Sequence, residues 1–443
     1  MFIPDTSISE FISISTHVAP SVLKTTGGDF MLVWHLGGLP FVGREEWEIE
    51  HRHNTFNRML QTLRAPDFAN VAFWVHDVRR RRRIKTSGKF KQAFNQDLSD
   101  QYYGTLSSQK IMQNELYMTM IYRPVVTGKR LMDKSSSIPQ LQSEQDQAIA
   151  KVLELAGNVE AVLKDYSPYR LSMYEASNGV VFSEALEFFG YLINRIDEPV
   201  PVLQAPVPAY LPVSKHMFAN KTGDFVIKTP EGINHFGAIL NIKEYTDGTY
   251  PGILNGLKYL DFEYVVTHSF SPMGRHDALK VLDRTKGMMV SSGDKAVSQI
   301  HELDLAMDQL SSGNFVLGEY HFTIAVYADT QEKLAQQVGH HAGGAVQCRF
   351  RLDQGGSGGR VLLLCPVARQ LALPHADRQC QLAELPWPVA AAQLRPGQAR
   401  EQSVGRVRHH LADHQRPAVL LQFPRYASGG ELAGRKRRSP TPW

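Results

Sequence analysis

The stretch FGAILNIKEYTDGTYPGILNGLKYLDFEYVVTHSF, residues 236–270, constrains the fold more than any other part of the chain. Residues 237–244 alternate apolar and polar side chains as a half-buried strand does, and residues 246–248 supply a turn. Residues 251–257 predict a short helix with proline near its start, and residues 262–268 a second strand. Strand, helix and strand in so short a span make a compact α+β unit. Lys243, Glu244 and His268 stand singly at strand ends, where polar residues are read as solvated and not as a catalytic set.

Upstream, residues 21–25 and 29–36 alternate around Thr26, Gly27 and Gly28, which predicts a hairpin. Phe56, Met59, Leu60 and Leu63 share one helical face, and Pro66 ends that run. A strand over 71–78, a helix over 90–107 and a strand over 115–123 complete a ββαβαβ order. Residues 140–165 read as a long polar helix linking two lobes, and residues 198–213 as an extended proline-rich connector. Between them come a strand over 170–174 and a helix over 183–193 capped by Ser183. The first order then returns: strands over 224–228, 238–243, 262–268 and 314–326, helices through 277–310, and a last helix over 330–338 behind Asp329. The expected fold is α+β, with ferredoxin-like lobes over 1–135 and 214–338, joined through 136–213 and followed by a disordered tail over 339–443.

The opening stretch is similar to the amino-terminal region of the type IV secretion and conjugative-transfer ATPases, the CagE/TrbE/VirB family. There a glycine-started strand ending in IKEYP is followed by T.PG.L..L and by a strand like FEFVLTQSF. The resemblance extends through FISISTHVAPSVLKTTGGDFMLVWHLGGLPF, NVAFWVHDVRRR and NELYMTMIYRP, and reaches Val338. It implies a peripheral position on the cytoplasmic face of the inner membrane, binding to other inner-membrane subunits of the channel, and assembly as an oligomer. For the intact family it also implies ATP and magnesium as cofactors.

Composition matters at the point where the resemblance stops. Residues 339–443 contain no isoleucine, asparagine or methionine and a single lysine, Lys436, while arginine, glutamine, glycine, proline and alanine crowd in. A GC-rich gene read in a wrong frame gives such a composition. Residues 378–394, RQCQLAELPWPVAAAQL, can be encoded so that a shift of one nucleotide reads ANVNSLNFLGLSPLHNF. Residues 413–425, DHQRPAVLLQFPR, likewise give TTSGQPYYFNFHA. Both shifted readings resemble segments that follow this region in the family. The expectation is a frameshifted tail and truncation before the family's motor. G-x-x-x-x-G-K-[ST], the pattern that wraps backbone amides around phosphates, does not occur in these 443 residues. The sequence therefore assigns this chain no catalytic residue and no cofactor of its own.

Other motifs are weak. GGSGG at 355–359 satisfies G-x-S-x-G without a strand before it or a placeable histidine partner. His51 and His53 point to different faces of a predicted helix, His340 and His341 lie in the tail, and HExxH does not occur, so no metal is assigned. Cys348, Cys365 and Cys380 form no CxxC pair. No run of about 20 apolar residues occurs, and MFIPDTSISEF has no basic leader, which predicts a cytoplasmic chain. Trp34, Trp47 and Trp74 are expected in the core or at lobe interfaces. The densest charge run, Arg79, Arg80, Arg81, Arg82 and Arg83 with Lys85, follows an apolar strand. It reads as a solvated edge whose like charges block edge pairing, or as a contact for anionic lipid or an acidic partner. A net charge of +4 is too small to argue for nucleic acid by itself, since it averages over local runs; a basic α+β nucleic-acid-binding module is the alternative function, although no aromatic residues interleave with the arginine run as single-strand binding requires.

Overall fold

A computed structural model describes residues 7–38, 70–82, 89–108, 111–124, 138–218, 224–244, 254–291, 297–313, 316–342 and 351–354, with short pieces between 44 and 55. In chain order the strands are β1 Ile14–Ala19, β2 Val22–Thr25, β3 Phe30–Leu36, β4 Val71–Arg82, β5 Ile111–Tyr122, β6 Pro168–Arg170, β7 Met173–Glu175 and β8 Val181–Ser183. They continue with β9 Lys215–Phe218, β10 Asp224–Lys228, β11 Asn234–Glu244, β12 Glu263–Pro272, β13 Gly318–Ala328 and β14 Arg351–Gln354. The helices are α1 Ala93–Ser108, α2 Ile138–Val162, α3 Glu184–Asn194, α4 Val207–Tyr210, α5 Arg275–Ser291, α6 Val297–Ser312 and α7 Gln331–Ala342.

The two predicted lobes share one antiparallel sheet in the order β1-β2-β3-β5-β4-β12-β13-β11-β10-β9. Each half has the same strand order, β1-β2-β3-β5-β4 and β9-β10-β11-β13-β12, and the halves meet where β4 pairs β12 from Tyr264↔Arg79 to Phe270↔Phe73. The likeness extends to the added strands, since β6 pairs β3 and β14 pairs β11. β7 and β8 form a separate hairpin.

Both faces of the sheet are covered, which is why β3 reads FMLVWHL as an almost unbroken apolar run. On one face α2 buries Ala148, Val152, Leu155, Ala156 and Val159 against Leu32, Trp34, Phe73, Val75 and Met118. On that face of the second half Leu334 of α7 packs on Leu240, Val266, Ile324 and Val326. The opposite face is covered by α3, whose EALEFFGYLIN is apolar nearly all round and is accordingly buried from Ala185 to Asn194 except at Glu187. Its cluster takes Met31, Val33 and Trp74 from the first half and Phe225, Ile239, Val265 and Tyr327 from the second.

Several expectations are corrected. The long polar helix, α2, packs its apolar stripe in a cluster drawn mainly from the first half, whereas the cluster of α3 takes residues from both halves. β4 runs four residues beyond the expected end at Val78, through Arg82, because β5 pairs it as far as Arg82↔Ile111 and the cations of Arg80, Arg81 and Arg82 meet carboxylates. The connector contains one short helix, α4. The last helix runs past Val338 to Ala342, and β14 lies inside the stretch expected to be without structure. Backbone groups make that pairing, so it asks little of side-chain identity. Trp34 and Trp74 are buried, but Trp47 is 64% exposed. Of the predicted helix over 45–63, residues 47–49, 51–52 and 55 are helical, while Phe56, Met59, Leu60 and Leu63 lie outside the described residues, as do Arg83, Lys85, the helix start at Pro251, GGSGG and the three cysteines.

The glycine that opens the key stretch has a packing reason. Gly237 pairs Phe225 across β10 and β11, and a Cβ there would fall inside the contact distance of the buried Phe225 ring. Gly237→Ala should therefore cost about 1–3 kcal/mol through overpacking, measurable by urea unfolding.

Candidate functional site at the sheet seam

Strand alternation splits the arginine run between the two faces of β4, with Arg79 and Arg81 on one and Arg80 and Arg82 on the other. Arg79 donates through Nε to the Leu260 carbonyl at 2.7 Å and through Nη1 to Asn114 Oδ1 at 2.8 Å. The Arg80 side chain, 7% exposed, is ion-paired with Glu115, 4% exposed, whose other oxygen receives Arg82 Nε at 3.0 Å. Asp197, just past α3, accepts Arg82 Nη1 at 2.7 Å and Arg80 Nη1 at 3.4 Å. Tyr117 donates its hydroxyl to Glu115 at 3.0 Å. Burial works against the Glu115 charge, but Arg80 and Arg82 outweigh it and hold the carboxyl below the usual carboxylate range.

The network continues across the seam. The guanidinium of Arg80 lies 4.3 Å from the Tyr191 ring centre, that of Arg195 lies 4.4 Å from the same ring, and Arg195 also sits 3.9 Å from the Tyr327 ring. Arg195 Nη2 donates to Glu263 at 2.8 Å, and Glu263 accepts the Arg81 backbone N–H at 2.9 Å. First half, α3 and second half are thus joined by alternating guanidinium and aromatic layers, each contact worth about 0.5–2 kcal/mol. Arg195 closes α3 at φ +60°, where glycine is the usual residue, a conformation costing a side chain roughly 1–2 kcal/mol. Its buried ion pair and two ring contacts offset that cost.

At the end of the seam a cleft of about 270 Å³ opens beside Arg81, Arg82, His235, Glu263, Tyr327 and Lys333. Burial chiefly, with Arg195 adding, holds His235 below the ordinary histidine range. The cleft offers fixed donors and carboxylates, and none of its lining residues is a serine, threonine or cysteine. A serine beside a histidine does occur elsewhere: His17 Nε2 lies 2.7 Å from Ser183 Oγ. That hydroxyl is fully buried and accepts the Leu186 N–H as the cap of α3, so the pair holds a helix start and has no route to a substrate. Among the described residues no group of three His, Cys, Asp or Glu could hold a metal ion, and no helix is long and apolar enough to cross a membrane.

Sequence reasoning singled out the arginines and missed every partner that decides what they do. Glu115, Tyr191, Arg195, Asp197, Glu263 and Tyr327 are scattered along the chain and carry no shared pattern. The only legible signal was electrostatic: a run of like charges continuing a buried strand demands carboxylates opposite it.

Residues 21–130 match the family described as the type IV secretion system ATPase VirB4/TrbE, N-terminal domain, and residues 169–343 match the CagE, TrbE, VirB family, component of type IV transporter system. The type IV secretion system protein virB4 of Brucella suis is 35% identical over 343 residues, 75% of this chain and 41% of that protein. PtlC of Bordetella pertussis is 30% identical over 341 residues, 75% of this chain and 40% of its own length. The virB4 protein of Bartonella henselae is 28% identical over 353 residues, 79% and 43% of the two chains. The chain thus spans about two fifths of the length of these relatives.

Proposed function

Over residues 21–130 and 169–343 the chain belongs to the CagE, TrbE, VirB family of type IV transporter components, and we propose that it serves there as a subunit-binding platform, peripheral to the cytoplasmic face of the inner membrane. The observation carrying this reading is that the two matched stretches supply the two halves of one sheet, whose charged residues are turned inward to hold the halves together. A rigid seam suits a surface that other channel subunits grip. Residues 1–135 and 214–338 form its two lobes, and residues 339–443 are read out of frame. The anomalous composition, and the end of one family match at residue 343, close to that boundary, support the last point. Rereading the gene around codon 338 tests it, and an undisturbed frame would refute it.

Co-purification of the full chain with the other inner-membrane secretion subunits is the test of the platform. Failure to retain any of them, together with a DNA affinity that falls steeply with salt, would favour the nucleic-acid reading instead. Arg79 to Arg82 already hold internal acceptors, so phosphate contacts would have to break ion pairs to form. ATP hydrolysis by these 443 residues should not rise above background, since they contain no loop of the phosphate-cradling pattern. Turnover that persists through removal of contaminating ATPases would overturn this.

A further inference from the structure

The cleft at the end of the seam is built by both halves of the sheet and by the helix that follows them. β4 brings Arg81 and Arg82, the end of β13 and the residue after it bring Ala328 and Asp329, and α7 brings Lys333 and Gln337. Lys333 and Gln337 stand at i and i+4, so both side chains leave α7 on one side. Thr330 fixes the start of that helix by accepting the Lys333 N–H on its hydroxyl at 3.3 Å.

Charge counting leaves one cation over. Arg82 is held by Glu115 and Asp197, Arg81 lies 3.7 Å from Asp329, and Glu263 is taken by Arg195. Burial favours the uncharged form of His235. Lys333 is exposed and has no carboxylate partner among the described residues. A single uncompensated positive charge matches one carboxylate. A phosphate group of about two negative charges, or a nucleic-acid backbone, would meet Glu263 and Asp329 as well.

A second observation specifies the rest of the ligand. Gln337 Oε1 is buried and receives no hydrogen bond among the described residues. A buried acceptor without a donor is costly, so the cleft asks its occupant for an N–H or O–H. Phe262 and Ala328, each 8% exposed, give it an apolar wall. At about 270 Å³ it lies below the roughly 300–1,000 Å³ of drug-sized ligand sites, which suits one or two residues of a chain and not a nucleotide. A carboxylate, an N–H and an apolar side chain within that space are what a short acidic peptide offers.

We propose that the cleft binds an acidic peptide segment of a partner subunit. Its carboxylate sits on Lys333, a backbone N–H donates to Gln337 Oε1, and an adjacent apolar side chain lies against Phe262 and Ala328. The carboxylate is that of an acidic side chain or of a chain terminus. That the segment belongs to a secretion subunit rests on the platform reading; the cleft's chemistry does not.

Fluorescence anisotropy of the full chain with three dye-labelled hexapeptides tests it. One carries an internal leucine–glutamate pair and an amidated end, the second has glutamine in place of glutamate, and the third is the glutamine peptide with a free carboxyl end. The first or the third should bind at least roughly tenfold more tightly than the second, and whichever does identifies the carboxylate that the cleft takes. Lys333→Glu should remove that preference and Gln337→Leu should weaken binding severalfold. Both variants should melt at or above the wild-type temperature, because one side chain is solvated and the other loses an unpaired acceptor. No binding up to roughly 10 mM peptide, equal binding of all three, or a Lys333→Glu variant that keeps the preference overturns the proposal. So does inorganic phosphate that competes as well as unlabelled peptide, since the cleft would then be a bare anion site. Peptide binding that persists in a chain retaining no secretion subunit would support the cleft and refute the platform, and the reverse result would refute the cleft alone.

Discussion

Replacing Arg80 by alanine should lower the unfolding free energy by about 3–5 kcal/mol, the cost of removing one partner from a buried ion pair. Glu115 would remain 4% exposed. Arg82 would still reach it, but from a more exposed side chain that Asp197 shares. The loss should exceed what charge alone predicts, because the Arg80 guanidinium is also one layer of the stack over Tyr191. Arg81→Ala is the control. Its ion pair with Asp329 is 3.7 Å long and partly solvated, so no more than about 1 kcal/mol should be lost. Denaturant unfolding of both variants separates the two readings of the run. Equal small losses would restore Arg79 to Arg82 as an outward basic patch available to lipid or an acidic partner. A large loss at Arg80 alone would mean that substituting the run tests the seam before it tests any membrane contact.

Acidification from pH 7 to 5.5 should remove roughly 5 kcal/mol of stability, about 1.2 kcal/mol for each of four buried or half-buried histidines. Burial lowers His76 to about 3, with His268 adding to the effect, and lowers His17, His216 and His268 to about 4. The unfolded chain takes up these protons near pH 6.5, whereas the folded chain refuses them until its own lower values are reached. The stabilising contribution is therefore present above pH 6.5 and is lost as pH falls from there toward 4. Asp77 acts in the opposite sense. Burial pushes it up to about 6, so the folded state gains a proton as pH falls and returns less than about 1 kcal/mol at pH 5.5. Unfolding measured at several pH values should show the decline, and His76→Leu should reduce it by about a quarter. Stability that is level between pH 7 and 5.5 would contradict the burial of these rings.

The histidines and the arginine run show where reading along the chain reaches its limit. His268 was read as a solvated strand end, yet it lies mid-strand in β12, with Nδ1 2.7 Å from the Tyr320 hydroxyl. That strand is interior only because β4 joins it, and β4 is far away in the chain. Treating the halves as separate lobes left both β4 and β12 as edges, and edges are where lone charges and histidines are tolerated.

What the sequence determined by itself is local. Strand-length apolar stretches bounded by turn residues set the hairpin of β2 and β3 and the strands β10 to β12, and Ser183 set the start of α3 by accepting the Leu186 N–H. The similarity of residues 236–270 to one family was legible from those residues alone, because strand length, turn chemistry and apolar spacing act over a few residues. Only the tertiary structure decided that two like-ordered halves share a sheet, that α3 packs on both of them, and that Arg80 meets Glu115 and Tyr191. Those contacts join residues that are distant in sequence and follow from which surfaces remain to be buried once the local elements exist. A strand carries the same alternation whether its edge faces water or another strand, and that choice settles whether its arginines are solvated or locked.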